Sequence, residues 1–152
     1  MSKIQKPKIK ILLRKSYLAM IQNSKGTKMF TNFYGENKGQ IQDLTENGKL
    51  SCAYFVSSVL KIFGLIKGVH LTVKSTVKDL EKTGWYLIEK PKPGSVLLWE
   101  KKAQHFHVGF YLGKKLAISN ISKTKKPSVH HWTYNNKRKV LAIYWHKKLD
   151  KE

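Results

Sequence analysis

The chain has one cysteine, Cys52, and it lies where a thiol can act as a nucleophile. Ser51 is a favourable N-cap residue, and the apolar positions after it recur with helical spacing. The pattern therefore predicts that Cys52 occupies the first turn of a helix. The helix dipole and the unpaired N–H groups of such a turn stabilise a thiolate and can hold an oxyanion. The alternative interpretation is inert packing, because free cysteines are among the most buried side chains.

A cysteine nucleophile needs a base within hydrogen-bond reach, and histidines are the candidates. Alternation along a predicted strand at residues 106–112 places His107 and Gly109 on the face opposite the aliphatic stripe. Gly109 leaves room for close approach, so we expect the Cys52 helix to rest on this face, against the imidazole. His105 has the same parity and is the second choice. The full set is His70, His105, His107, His130, His131 and His146.

The hairpin that follows His107 predicts a third polar residue. If Gly113 and the lysine after it form a two-residue type II′ turn, His107 pairs directly with Asn120. Directly paired residues point to the same face with Cβ atoms about 5 Å apart, so the Asn120 amide would orient the far ring nitrogen of His107. A register shifted by one residue would bring Ser119 or Ile121 to that place instead.

Hydrophobic periodicity predicts the elements that must position these residues. Helices come first and strands second, which predicts an α+β fold with N-terminal helices packed on an antiparallel β-sheet. The expected helices cover residues 9–23, from Cys52 to Gly64 or Gly68, and 76–82 with Ser75 as the N-cap. The expected strands cover residues 85–88, 95–100, 106–112, 115–120 and 140–146.

The order of cysteine, histidine and amide along the chain is that of a papain-type dyad with its orienting group. Three segments resemble the NlpC-type and CHAP-type cell-wall cysteine peptidases and amidases. Residues 51–58, SCAYFVSS, resemble the nucleophile helix of that family. Residues 91–99, PKPGSVLLW, resemble its Pro-Gly-Asp strand, and residues 107–113, HVGFYLG, resemble its histidine strand.

This resemblance implies a papain-like fold and hydrolysis of amide bonds in peptidoglycan stem peptides by thiol chemistry. Carried onto this sequence, it implies Cys52 as the nucleophile, His107 as the base and Asn120 as the third polar residue. We expect a flexible basic arm at residues 1–8 and a single monomeric domain over residues 9–152. We expect no cofactor.

The chain departs from the family pattern at positions that bear on specificity. Ser51 and Ser95 stand where the family has acidic residues, and Tyr54 stands among the small residues that usually follow the cysteine. Tyr54 is a candidate substrate-binding residue, together with Tyr34 in an aromatic patch at the rim of the expected cleft and Trp132 in its wall. The alternative for Trp132 is packing in the core of the sheet.

Two other kinds of site remain open. The imidazoles of His105 and His107, with Cys52 or His130, would make a zinc site, although no carboxylate or second thiol lies at a recognisable ligand spacing. Residues 129–134 mix aromatic and histidine side chains ahead of a basic run, as single-strand nucleic-acid binders do. We favour no bound metal.

The charge of the chain indicates an anionic partner without identifying it. Of 152 residues, 30 are Lys or Arg and 9 are Asp or Glu, which gives a net charge of +21. Only Arg14 and Arg138 are arginine, so the charge consists almost entirely of lysines suited to diffuse attraction. Peptidoglycan, another anionic polymer or nucleic acid would be attracted.

No transmembrane helix and no cleavable signal peptide are expected, since every apolar run is short or interrupted by lysine or serine. A cytoplasmic location or non-classical export to the cell wall fits this pattern. The leading hypothesis is a cysteine hydrolase. The alternatives are a non-catalytic basic module that binds nucleic acid or an anionic surface, and a thiol-dependent acyltransferase on the same fold.

Overall fold

The computed structural model describes residues 4–151, and it has the expected α+β architecture. The helices are α1 (Leu13–Asn23), α2 (Cys52–Ile62) and α3 (Val73–Lys82). The strands are β1 (Tyr34–Asn37), β2 (Gln40–Asp43), β3 (Trp85–Leu87), β4 (Val96–Lys102), β5 (His105–Gly113), β6 (Leu116–Ile121), β7 (Lys126–His131) and β8 (Val140–His146), followed by a 3₁₀ helix (Lys147–Asp150). Six strands form one antiparallel sheet in the order β3-β8-β4-β5-β6-β7, and a separate hairpin pairs β1 with β2.

Helix α1 is shorter than the periodicity predicts. It begins at Leu13, and residues 4–12 are neither helical nor extended into a strand. Ile9 and Ile11 are 87% and 81% exposed, so their apolar side chains gain no burial that would hold a helix there. Residues 4–8 of the predicted arm belong to this segment, and residues 1–3 lie outside the described residues.

The other two helices are present, and the predicted N-cap residue is wrong for α3 but right for α2. Helix α3 begins at Val73, and the Thr72 hydroxyl accepts a hydrogen bond from the Ser75 backbone N–H at 3.2 Å. Thr72 rather than Ser75 is therefore the N-cap, in agreement with its extended backbone. Ser51 does occupy the N-cap position of α2, but its buried hydroxyl has no hydrogen-bond partner within residues 4–151.

Helix α2 is held on the sheet by its apolar face. Phe55, Val56 and Val59 are buried with Val108 of β5 and Ile118 of β6 in the main core. This contact fixes the first turn of the helix near the start of β5. The sequence pattern thus places Cys52 correctly at the beginning of a buried helix.

The helix lies on the other side of the sheet from the one predicted. His107 contacts Trp99 and Tyr134, which belong to a second apolar cluster on the face away from α2. Gly109 does not receive the helix. A Cβ on Gly109 would lie 2.7 Å from the Ser119 Cβ, so the glycine makes room for the neighbouring strand.

The predicted hairpin register is also wrong. The turn between β5 and β6 is formed by Lys114 and Lys115, both with positive φ, and Gly113 pairs with Leu116. Two successive left-handed residues describe a type I′ turn. Together with an irregularity between Tyr111 and Gly113, this turn moves the partner of Phe110 by one residue, from the predicted Ala117 to Ile118. Asn120 is therefore not opposite His107.

We expect Gly109→Ala to destabilise the protein by about 1–3 kcal/mol, because a Cβ there would lie 2.6 Å from the Ile118 carbonyl oxygen. The backbone of a central strand can shift to make room for this Cβ only at a cost in free energy. Urea denaturation measures the loss. Gly68→Ala is the matched control, since the nearest atom to its new Cβ is 3.9 Å away. Equal stability of the two variants would contradict the tight packing described here.

Candidate active site

Cys52 opens into a cavity of about 860 Å³ at the end of the sheet where β5 begins. The thiol is half-buried, and the backbone N–H of Val108 favours its thiolate form. Burial raises the pKa of the Cys52 thiol, while this N–H, those of the first turn of α2 and the charge of Arg138 act in the opposite direction. The thiol is therefore protonated at rest and needs a base in order to react.

His107 lines the same cavity and is 8% exposed. Its ring packs on Trp99 at 5.2 Å between centroids, and its Nε2 lies 2.8 Å from the Ser119 hydroxyl. Within residues 4–151 no hydrogen bond joins the Cys52 sulfur to the His107 ring. Catalytic hydrogen bonds are often long before substrate binds, so the shared cavity is the informative relation between the two residues.

A chain of hydrogen bonds fixes which nitrogen of His107 carries the proton. His130 Nδ1 lies 2.8 Å from the His131 carbonyl oxygen, which only accepts, so Nδ1 is the protonated nitrogen of His130. Its unprotonated Nε2 then accepts from the Ser119 hydroxyl at 2.6 Å. Ser119 in turn accepts from His107 Nε2–H, which leaves the lone pair on His107 Nδ1.

This assignment requires both histidines to be neutral, and their surroundings make them so. Burial, with the charges of Arg138 and His130, lowers the pKa of His107 to about 3. Burial also lowers the pKa of His130. Tyr134 stacks on His130 at 4.0 Å between centroids, and its hydroxyl lies 3.2 Å from that of Ser119. The imidazole of His107 is thus presented as a neutral base with Nδ1 free to accept a proton.

The low pKa of His107 predicts a loss of stability in acid. Between about pH 6.5 and pH 3 the unfolded chain binds a proton at His107 that the folded protein excludes, so the free energy of unfolding falls as pH falls through this window. His107→Asn should remove this part of the pH dependence. The part removed is at most about 1.4 kcal/mol in the free energy of unfolding per pH unit. Urea denaturation at several pH values tests this, and parallel curves for the two proteins would contradict it.

Asn120 is in the cavity wall but does not touch His107. Its side-chain amide donates to the Gly48 carbonyl oxygen at 2.8 Å, and the residue is almost fully buried. This bond ties the loop before Cys52 to β6. After the one-residue shift in the hairpin, Ser119 rather than Asn120 contacts His107. Asn120 instead positions the loop that leads into α2.

The three predicted substrate-binding residues lie outside the cavity lining. Tyr34 is exposed at the start of β1, and Tyr54 packs edge-on between Phe30 and Phe33. Trp132 packs on Tyr111 in the second apolar cluster, in agreement with its alternative interpretation as core. The aromatic side chains that do line the cavity are Phe106 and Tyr134.

The zinc hypothesis finds no support in the described part of the chain, where no group of three or more His, Cys, Asp or Glu side chains could hold a metal ion. His130 is engaged with Ser119 and His131 instead. No helix in the described part is both long and apolar enough to span a bilayer.

Sequence reasoning named Ser119 and His130 only as alternatives, and it gave Arg138 no place in the site. Ser119 is the partner of His107 only in the alternative in which the hairpin register shifts by one residue. His130 lies on β7, a strand that the sequence pattern does not predict. This edge strand contains Pro127 and several polar residues, so it does not show the alternating hydrophobicity by which strands are predicted. The spacing of two residues between His130 and Trp132 is the one feature of the sequence that indicates a strand here.

Comparison with known proteins adds no relative: no protein-family model matches the chain, and no curated protein matches its sequence significantly. The resemblance to cell-wall cysteine hydrolases therefore depends on the three quoted segments and on the site itself.

Proposed function

We propose that this protein is a cysteine peptidase or amidase of the papain-like type, which hydrolyses amide bonds in peptidoglycan stem peptides. The observation that carries the proposal is the shared cavity of Cys52 and His107, with Ser119 and His130 holding the imidazole in the tautomer that a base requires. The order of elements, a nucleophile helix followed by an antiparallel sheet that carries the base, supports the papain-like assignment.

In the proposed reaction His107 Nδ1 takes the thiol proton as the Cys52 sulfur attacks the substrate carbonyl. The backbone N–H groups at the start of α2 face the developing oxyanion. The C–N bond then breaks, the amine leaves with the proton from His107, and a thioester remains on Cys52. Water, deprotonated by His107, attacks the thioester and releases the carboxylic acid and the free thiol.

Because both residues are neutral at rest, the proton moves during the attack and not before it. Burial raises the pKa of Cys52 and lowers that of His107, so a standing thiolate–imidazolium pair is disfavoured. The same burial keeps water away from the imidazole, which strengthens its hydrogen bonds. The reaction is therefore general-base catalysis by a preorganised histidine.

Digestion of purified peptidoglycan in ¹⁸O-labelled water tests the substrate and the reaction together. We expect soluble fragments with new amino groups and one ¹⁸O atom in each new carboxylate. Fragments without the label that carry an added amine would indicate acyl transfer instead. The absence of any cleavage would overturn the assignment of peptidoglycan as the substrate.

The non-catalytic alternative has its own supporting observation, the net charge of +21. It requires binding to nucleic acid that weakens steeply with salt and does not change in Cys52→Ala. Filter binding at several salt concentrations, together with the digestion above, separates this alternative from hydrolysis.

A further inference from the structure

The cavity beside Cys52 is lined by cations and by no acidic side chain. A cleft with low-dielectric walls and charge of one sign concentrates ligands of the opposite sign. Four of its cations are exposed lysines without an ion-pair partner among the described residues. The cationic lining residues are Lys49, Lys74, Lys102, Lys123 and Arg138.

Arg138 differs from these lysines in being fixed in place. It is half-buried, its Nε donates to the Glu100 carbonyl oxygen at 2.9 Å, and one terminal nitrogen, Nη2, donates to the His105 carbonyl oxygen at 3.0 Å. Within residues 4–151 the other terminal nitrogen has no partner. The Glu100 carboxylate accepts from the Lys139 backbone N–H and forms no ion pair with the guanidinium within residues 4–151. The guanidinium is therefore oriented and forms no ion pair with a described residue, and the Glu100 carboxylate acts on its charge only from farther away.

We propose that Arg138 binds a carboxylate of the substrate, next to the amide bond that Cys52 attacks. This inference rests on the proposed function and adds the class of substrate: a peptide with a free carboxylate close to the scissile bond. The guanidinium suits this role because its planar fork matches the two oxygens of a carboxylate, whereas the exposed lysines act as mobile charges that attract the same ligand.

Arg138 lines the same cavity as Cys52 and His107. Its charge acts on Cys52 and on His107, so it lies within range of both members of the dyad. A general stabilisation of the oxyanion by Arg138 would accelerate reaction with neutral and acidic substrates equally. Recognition of a carboxylate favours the acidic substrate alone, and this difference is what the experiment measures.

Alkylation of Cys52 by iodoacetate and by iodoacetamide provides the comparison. The two reagents have nearly the same size, both transfer their carbon to sulfur with loss of iodide, and only iodoacetate carries a carboxylate. Cys52 is the sole thiol of the chain, so mass spectrometry reports its reaction directly. The ratio of the two rates cancels the effect of Arg138 on the thiol pKa, since both reagents attack the same sulfur.

We expect the ratio of iodoacetate to iodoacetamide rates to exceed that of N-acetylcysteine by about tenfold and to fall by about tenfold in Arg138→Gln. Arg138→Lys should keep only part of the preference. Arg14→Gln is the matched control, the same substitution at the only other arginine and outside the cavity lining. A preference that is absent, or unchanged in Arg138→Gln, would overturn the assignment to Arg138.

A binding experiment separates failure of this inference from failure of the proposed function. Glutarate and its neutral diamide are titrated into Cys52→Ala, with and without Arg138→Gln, and followed by NMR. We expect glutarate to shift signals of residues in the cavity, with about tenfold weaker binding once Arg138 is replaced. If Cys52 reacts with neither reagent but glutarate binds through Arg138, the hydrolase proposal fails and the carboxylate site stands. Glutarate binding that is equal in both proteins, or no better than that of the diamide, would overturn the carboxylate site.

Discussion

Replacing Cys52 with alanine is expected to reduce peptide-bond hydrolysis by a factor on the order of 10⁴ or more, because the acyl intermediate of the proposed mechanism forms on its sulfur. The side chain is half-buried and makes no hydrogen bond to another side chain within residues 4–151, so the fold should survive. Turnover of a labelled stem peptide measures the first effect, and a thermal melt measures the second.

Ser58→Ala is the control for this substitution, since it changes a half-exposed residue on the same helix outside the cavity lining. Its turnover should equal that of the wild type. Substantial turnover by a folded Cys52→Ala protein would contradict covalent catalysis and leave water, activated by His107, as the attacking group.

Replacing Ser119 with alanine is expected to lower kcat by about 100-fold, with a smaller change in KM. Without the hydroxyl, His107 Nε2–H loses its acceptor, and the link that fixes its tautomer through His130 is broken. The ring can then carry its proton on Nδ1, where it cannot act as a base. The ¹⁵N shifts of the His107 ring nitrogens distinguish the two tautomers directly.

Ser128→Ala tests whether the loss is specific to the chain of hydrogen bonds. Ser128 is the strand partner of Ser119, and its hydroxyl contacts Thr124 and the Lys126 carbonyl instead of a histidine. We expect wild-type kcat in this variant. An unchanged His107 tautomer in Ser119→Ala, or equal losses in the two serine variants, would contradict the role given to Ser119.

Local sequence signals predicted the elements of the site well and their arrangement less well. The helical stripe after Ser51 placed Cys52 at a helix start, and alternation around His107 placed its ring on the face opposite Val108. Both follow from short-range periodicity. Which face α2 covers is a tertiary choice, and it depends on whether Gly109 accommodates a helix or a neighbouring strand.

The third residue was missed because one turn decides the register of a whole hairpin. Two lysines with positive φ form the turn, where glycine was the expected residue, and the shift exchanges Asn120 for Ser119 beside His107. His130 could not be predicted from local pattern, because it reaches the site on an edge strand that contains proline. The role of Arg138 depends on carbonyl groups of two other segments, Glu100 and His105.

The coupling of His107 to Cys52 is the central claim, and the pH dependence of Cys52 alkylation by iodoacetamide tests it most directly. In the wild type we expect reaction at pH 6–7 to be about tenfold or more faster than in His107→Ala, because the neutral imidazole removes the thiol proton during attack. The variant should react appreciably only at alkaline pH, since burial raises the pKa of its thiol. Superimposable pH profiles for the two proteins would contradict the claim and make Cys52 a packing residue.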